Sequence, residues 1–191
     1  MKKGLIINKV FDLIIDGKSN EAETLSITNY PFQKTLPVKR YYTKTQMCKV
    51  FLKDGFIDRY SGEQLLFPGI IKILSLKFPE IYKFHKNWKI SETHSIYWDL
   101  MPTIDHIVPV TQGGGNEIAN LATTSMARNS AKANWSLQEI NWELHPEGNL
   151  HNWDGLSSSF LKLLEKEPNY ESNTYVKSWK NALLKAQSIK I

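Results

Sequence analysis

Residues 103–135 read TIDHIVPVTQGGGNEIANLATTSMARNSAKANW, and this stretch decides the fold. Its opening run is rich in β-branched side chains and predicts a strand over 103–110, which carries Asp105 and His106. Three consecutive glycines follow at 113–115 and predict a loop. The stretch therefore presents a carboxylate and an imidazole side by side, close to the point where a strand gives way to a turn.

The second half of this stretch predicts a helix that begins at Thr124 or Ser125 and ends at Asn134. Asn129 and Lys132 are three residues apart on the helix, so their side chains share one face. Asparagine is mildly unfavourable inside a helix, which hints at a functional role for Asn129.

These residue types suit the hydrolysis of a phosphodiester bond. The reaction needs a base that takes a proton from water near neutral pH, and His106 is the candidate because imidazole titrates in that range. The charge that grows on the phosphate needs a cation. Asp105 and Asn129 offer two oxygen ligands, a set that suits Mg²⁺ and does not suit a structural Zn²⁺. Lys132 is a candidate phosphate contact.

The adjacency of Asp105 and His106 restricts this arrangement. Neighbouring residues of a regular strand point to opposite faces, so both can serve one site only if the strand ends or bends there. Pro109 and the glycine loop favour an early end. Each of these residues taken singly is more often structural than functional, and it is their order and spacing that favour a site.

The pattern resembles the HNH nuclease family, whose fold is the ββα-metal finger. The residues that carry the resemblance are Asp105-His106-Ile107-Val108-Pro109, Gly113-Gly114, Asn120-Leu121, Asn129 and Lys132. Asn120 follows His106 by 14 residues and Asn129 follows Asn120 by nine, and both spacings are similar to those of the family. The resemblance is close over residues 103–135.

This resemblance implies an α+β fold in which a ββα-metal finger is embedded in a mostly helical single domain. It implies a metal-dependent endonuclease that hydrolyses DNA, double-stranded DNA above all, with Mg²⁺ or Mn²⁺ as cofactor. His106 would be the general base, and Asp105 and Asn129 would hold the metal. Asn120 would bond backbone groups of the active-site loop, and Lys132 would assist at the phosphate. One finger cuts one strand, so cleavage of both strands would need a homodimer or successive nicks.

The chain departs from the family pattern in its cysteines. Many HNH proteins bind a structural zinc through two Cys-x-x-Cys pairs, whereas this chain has one cysteine, Cys48. The first pair would fall at residues 58–62, where the sequence is DRYSG. We therefore expect no structural zinc and a finger held by packing. The candidate packing residues are Phe56, Ile57, Tyr60, Leu65, Phe67, Trp88, Tyr97, Trp98, Leu100 and Trp135.

The net charge of +5 is concentrated in one segment. Residues 24–53 contain six basic residues and no acidic one, so this segment carries +6 and the rest of the chain sums to −1. Such a segment is ordinarily a solvated surface, but in a nuclease phosphate contact becomes the favoured interpretation. The candidate nucleic-acid contacts are Lys39, Arg40, Lys44, Lys49, Arg128 and Lys132. A second basic stretch, KFHKNWK at 83–89, is either plain surface or a DNA backbone contact, and the sequence does not decide between them.

The chain divides by sequence into three parts. Residues 1–53 form an N-terminal basic arm or subdomain, 54–172 form the nuclease domain with its core finger at 101–135, and 173–191 form a C-terminal amphipathic helix packed on it. The remaining predicted elements are a helix or strand at 5–15, a loop at 16–40, helices at 45–54 and 70–78, a strand at 64–67, and a short helix behind a capping box of Ser136 and Glu139.

Composition excludes several classes of protein. A single cysteine excludes an internal disulfide framework and fits a reducing, cytoplasmic location. No apolar run approaches the roughly 18 residues of a membrane helix, so we expect no membrane partner. Two alternatives to the endonuclease stay open: a non-catalytic nucleic-acid-binding module with a finger-like fold, and a nuclease toxin domain.

Overall fold

The computed structural model describes residues 2–32 and 41–188. By their contacts the residues separate into two compact units, 1–39 and 40–191. Residues 41–53, part of the expected N-terminal arm, belong to the second unit.

The first unit contains a pair of packed helices. They are α1 (Lys3–Ile15) and α2 (Ser19–Asn29). Gly17 adopts a φ of 73° in the turn between them, a left-handed conformation that glycine reaches without strain. The loop predicted at 16–40 is therefore wrong where α2 lies, and its residues 33–40 are outside the described part. Since α2 buries Ala22 alone, it lacks the apolar periodicity by which a sequence reveals a helix.

The second unit is mostly helical. Its helices in the described part are α3 (Lys44–Lys53), α4 (Pro68–Lys77), α5 (Ile96–Asp99), α6 (Met126–Lys132), α7 (Ser157–Lys166) and α8 (Thr174–Ser188). α8 packs against α3 and α4, with Val176, Trp179 and Leu183 buried in the core. The helices predicted at 45–54 and 70–78 and at the C-terminus are confirmed. Across the described ranges, no helix combines the length and apolar character needed to cross a bilayer.

Aromatic rings form the centre of this core. The ring of Phe67 lies 5.0 Å from that of Phe160 and 5.7 Å from that of Trp179, and Phe56 is fully buried beside it. Trp135 is 49% exposed, so the prediction that it packs in the core is wrong. It lies beyond the end of α6, where the chain turns away.

The two strands found in the described part form a small antiparallel sheet. They are β1 (Pro102–His106) and β2 (Leu121–Ser125). Asp105 pairs with Ala122 and His106 with Leu121, the last pair of the ladder. α6 follows β2 directly and packs on both strands. The chain is thus α+β, with a strand–strand–helix segment over residues 102–132.

Helix α6 begins later than predicted. The predicted start at Thr124 or Ser125 is wrong because β2 runs through both residues. Ser125 instead caps the helix, since its hydroxyl accepts a hydrogen bond from the backbone N–H of Arg128 at 3.2 Å. Thr123 and Thr124 are β-branched and favour an extended conformation, so β2 continues through Thr124, one of the two predicted helix starts.

Two further predicted elements do not form as expected. The strand at 64–67 is reduced to an isolated bridge between Ile57 and Gln64. The capping box of Ser136 and Glu139 does form, with the Ser136 N–H donating to Glu139 Oε2 at 2.9 Å. The residues after it adopt turns instead of a helix, so the cap is present without the helix.

A buried carboxylate joins the end of α3 to β2. Asp54 is fully buried, and its Oδ2 accepts a hydrogen bond from the backbone N–H of Thr123 at 2.6 Å. Its Oδ1 pairs with the guanidinium of Arg59 at 2.8 Å. Arg59 also donates from its backbone to the carbonyl of Thr123 at 2.8 Å, so the segment and the strand are linked in both directions.

A second buried carboxylate, that of Asp58, lies in the segment 58–62 and also bonds β2. Asp58 Oδ2 accepts from the backbone N–H of Ser125 at 2.9 Å. Its Oδ1 accepts from the hydroxyl of Thr124 at 3.0 Å and the backbone N–H of Tyr60 at 2.9 Å. The expectation that packing alone holds the finger segment is therefore incomplete, because the carboxylates of Asp54 and Asp58 form hydrogen bonds to β2 as well.

The burial of Cys48 leads to a testable prediction. Cys48 is fully buried, and desolvation raises the pKa of its thiol to about 12. At pH 8 a thiol with this pKa has about one thiolate for every 10,000 protonated thiols. The thiolate is the nucleophile, so the native thiol should react very slowly. A colorimetric disulfide reagent at pH 8 should leave the native protein unlabelled and should titrate the thiol in guanidinium. Rapid labelling of the native protein would contradict this assignment.

Candidate active site

An open cleft of about 340 Å³ runs along β1 in the second unit. Its lining residues are Tyr41, Tyr42, Met47, Thr103, Ile104, Asp105, His106 and Asn129. The cleft thus brings together Asp105, His106 and Asn129. Asp105 and His106 are neighbours in sequence, and they can share the cleft because the strand ends at His106.

The imidazole of His106 is held at one nitrogen. Its Nε2 lies 2.8 Å from Oδ1 of Asn116 and 3.1 Å from the hydroxyl of Tyr42, which itself donates to the same Asn116 oxygen at 3.1 Å. An amide oxygen only accepts hydrogen bonds, so Nε2 carries the proton in this arrangement. The neutral ring then has its lone pair on Nδ1, which is the nitrogen able to accept a proton.

Asp105 is held from behind by a buried cation. The ammonium of Lys132 lies 2.7 Å from Asp105 Oδ2 and donates to the backbone carbonyl of His106 at 2.8 Å. The hydroxyl of Tyr60 donates to the same carboxylate oxygen at 2.8 Å. Burial, reinforced by the charge of Asp105, raises the pKa of Tyr60 well above its ordinary value, so the phenol remains a donor.

This arrangement corrects the expected role of Lys132. Its side chain is fully buried beneath Asp105, so it does not face the cleft as a phosphate contact must. A surface lysine and a buried one look alike in sequence. What the sequence does not reveal is that the face of α6 that carries Lys132 packs on β1.

Asn120 bonds the backbone of the glycine loop, as the resemblance implies. Its Oδ1 accepts from the N–H of Val108 at 2.8 Å. Its Nδ2 donates to the carbonyls of Val108 at 3.1 Å and Gly115 at 2.9 Å. A Cβ at Gly114 would overlap the Val108 carbonyl oxygen, so this close approach requires glycine. The loop that carries Asn116 to His106 is therefore fixed at its base.

Asp105 and Asn129 each keep one oxygen without a partner in the described part of the chain. Asn129 donates from Nδ2 to the carbonyl of Ile104 at 3.2 Å, which leaves its Oδ1 unused. Asp105 uses Oδ2 for Lys132 and Tyr60, which leaves its Oδ1. Two oxygen donors beside an open cleft fit a Mg²⁺ ion, which keeps waters and binds substrate phosphate oxygens.

Within residues 2–32 and 41–188, no three His, Cys, Asp or Glu side chains lie close enough together to bind one metal ion. Asp105 and Asn129 offer two oxygen donors, which would leave most of a cation's coordination positions to water and substrate.

The candidate nucleic-acid contacts fall into different environments. Lys39 and Arg40 lie outside the described residues. The ammonium of Lys44 bonds the hydroxyl of Ser178 and lies 4.7 Å from the ring centre of Tyr175, so it is engaged within the fold. Burial lowers the pKa of Lys44 accordingly.

Two other basic candidates remain closer to solvent. Lys49 is half-buried on α3. Arg128 is exposed on α6, and its guanidinium lies 5.5 Å from the ring centre of Trp142. Arg128 is thus available to a phosphate and lies one residue before Asn129, a cleft-lining residue.

Sequence reasoning missed three side chains that shape the site. Asn116 sits in the glycine loop four residues before Asn120, and this position is a signal that could have been used. Tyr60 lies within the segment compared with the first cysteine pair. Tyr42 is separated from His106 by 64 residues, and nothing in the sequence indicates their contact.

Comparisons with family models, curated proteins and solved structures find no match for this chain.

The buried ion pair gives a prediction on stability. Lys132→Met keeps most of the length of the side chain but leaves the carboxylate of Asp105 without its cation. Loss of one partner of a buried pair costs about 3 to 5 kcal/mol, so the free energy of unfolding in urea should fall by that order. Lys162→Met on the exposed side of α7 is the matched control and should change it by less than about 0.5 kcal/mol. Equal stability of the two variants would contradict a stabilising role for the buried ion pair.

Proposed function

We propose that this chain is a metal-dependent endonuclease of the HNH type that hydrolyses phosphodiester bonds of DNA. The observation that carries the proposal is the convergence of Asp105, His106 and Asn129 on one open cleft. The order and spacing of the same residues in the sequence support it independently. The hydrogen bonds of Asn120 to the loop backbone add the support that an active-site loop needs.

In this proposal His106 is the general base. Nδ1 takes a proton from the attacking water, while Nε2 keeps its own proton and donates it in a hydrogen bond to Asn116 Oδ1. Tyr42 contacts both of these groups and limits rotation of the ring. The carbonyl of His106 is tied to Lys132, so the backbone of the base is fixed as well as its side chain.

The proposed cofactor is Mg²⁺, or Mn²⁺ in its place, held by Asp105 and Asn129. The ion would stabilise the negative charge that develops on the phosphate and the leaving oxygen. Lys132 and Tyr60 occupy Oδ2 of Asp105, so Oδ1 is the oxygen that would face the ion. Asn129 is oriented by its bond to the Ile104 carbonyl, which presents the amide oxygen.

The proposed substrate is double-stranded DNA, with phosphate contacts from basic residues. Arg128 is the candidate next to the cleft, and Lys49, Lys39 and Arg40 are the candidates from the basic segment. The proposed mechanism uses one finger for one strand, so a double-strand break would require a homodimer or two successive nicks.

The role of His106 is tested by nicking of a supercoiled plasmid. With Mg²⁺ the native protein should nick, and EDTA should abolish the activity. His106→Ala should lower the nicking rate by about 100- to 10,000-fold, the usual contribution of a positioned base. His151→Ala, at an exposed histidine outside the cleft, is the matched control and should leave the rate unchanged.

Three outcomes would contradict the mechanism in different ways. Full activity of His106→Ala would exclude His106 as the general base. Full activity in EDTA would exclude a divalent metal ion as the cofactor. DNA binding by the native protein without cleavage under any divalent cation would favour the non-catalytic binding module.

The hydrogen bond of Asn116 gives a separate prediction. Asn116→Ala removes the acceptor that fixes the proton on Nε2, so the ring can present the wrong nitrogen to water. The nicking rate should fall by at least about 10-fold, part of what the base contributes. DNA affinity in EDTA and the free energy of unfolding should not change. Asn152→Ala, at an exposed asparagine, is the control, and equal rates for the two variants would exclude a positioning role for Asn116.

A further inference from the structure

A second cavity, of about 310 Å³, lies between α4, the loop that follows it, α5 and the start of α8. Its wall includes the side chains of Lys72, Phe84, Trp88, Tyr97, Met101 and Tyr175. It shares no lining residue with the cleft along β1. Its volume lies at the lower end of the range for small-molecule sites, which is about 300 to 1,000 Å³.

Three aromatic rings form one side of this cavity. The ring centre of Phe84 lies 5.5 Å from that of Trp88, nearly perpendicular to it, and 5.0 Å from that of Tyr97. Phe84 is 48% exposed, so part of its ring is open to solvent, whereas Trp88 is half-buried and also packs against Tyr97 and Trp98. A wall of this kind offers flat apolar surface to a planar ring.

The loop that carries these rings is held in an uncommon conformation. Trp88 has a φ of 54°, a left-handed value that a bulky residue rarely adopts. Its backbone N–H donates to the carbonyl of His85 at 2.8 Å, and the N–H of His94 donates to that of Lys83 at 2.9 Å. Such a conformation persists where surrounding contacts determine it. These bonds therefore hold the indole at the wall of the cavity.

The charge around the cavity has one sign. Lys72 lies in its wall, and no Asp or Glu lines it. In the described part of the chain, Lys83 pairs with Glu80 and Lys89 pairs with Glu92, whereas Lys72 has no acidic partner. A cavity that binds organic cations would need a carboxylate where this one has an ammonium. The chemistry that fits is a planar ring that carries an anionic group.

We propose that this cavity binds a nucleotide, with the base against Phe84 and Trp88 and a phosphate at Lys72. The same chemistry can come from a free mononucleotide or from an unpaired base of a nucleic acid strand. The inference stands apart from the endonuclease proposal, because it rests on different residues and needs no cleavage. It also gives a role to the basic and aromatic stretch at 83–89.

Calorimetric titration of the full chain in EDTA tests this site. The probes are adenosine 5′-monophosphate, adenosine, inorganic phosphate, and a ten-nucleotide single strand with and without one abasic position. Adenosine 5′-monophosphate should bind more tightly than either adenosine or phosphate. Preference for the mononucleotide would identify a free nucleotide as the ligand, and a loss of affinity at the abasic position would identify an unpaired base of a strand.

Variants separate the two halves of the site. Phe84→Ala should weaken binding of both adenosine 5′-monophosphate and adenosine by at least about fivefold, since stacking is worth about 1 kcal/mol or more per base. Lys72→Gln should weaken the monophosphate by about fivefold and leave adenosine unchanged. Lys77→Gln, at an exposed lysine of the same helix, is the matched control. Unfolding curves of all variants check that each is folded.

Several outcomes would overturn the proposal. Binding of none of the probes would overturn it, as would equal affinity for the monophosphate and inorganic phosphate. Unchanged affinity in both Phe84→Ala and Lys72→Gln would place any nucleotide elsewhere. A protein that binds the monophosphate as expected but never nicks DNA would leave this site standing and remove the endonuclease proposal.

Discussion

The carboxylates of Asp54 and Asp58 are the constraint on which the candidate site depends. A two-stranded sheet has few ladder bonds of its own and is marginally stable in isolation. Here the backbone N–H groups of Thr123 and Ser125, on the edge of β2 away from β1, donate hydrogen bonds to these carboxylates. Because β2 is fixed in this way, the register of β1 against it is fixed too. The positions of Asp105 and His106, and therefore the cleft, depend on the hydrogen bonds of Asp54 and Asp58 to β2, in which neither Asp105 nor His106 takes part.

The parts of the structure that sequence could predict are those with a local physical signal. The resemblance implied that Asn120 bonds the loop backbone, and asparagine readily makes such local bonds. α8 was predicted from its own apolar stripe. The parts that it could not predict depend on partners far along the chain. The burial of Lys132 requires knowledge that α6 packs on β1, and the contact of Tyr42 with His106 joins distant segments.

Positive charge in this chain is used in two ways that composition does not separate. Lys132 and Lys44 form contacts inside the fold. Lys132 pairs with a carboxylate, and Lys44 bonds a hydroxyl and lies over an aromatic ring. Arg128 and Lys72 are not paired with acidic groups in the described part, and each lies near an opening in the surface. A basic residue therefore indicates an anionic partner only where folding leaves its charge at the surface, and Lys44 of the basic segment does not meet that condition.

The pairing of Lys132 with Asp105 has a thermodynamic consequence for the proposed metal. Lys132 cancels the charge of Asp105 before any ion arrives, so a divalent cation would meet a nearly neutral site and leave it with an excess of about two positive charges. A substrate phosphate would supply the missing negative charge. Under the proposed function the affinities for cation and DNA are then linked, each raising the other by the same factor. The free protein would hold its metal weakly, and the ion and the substrate would assemble in the cleft together.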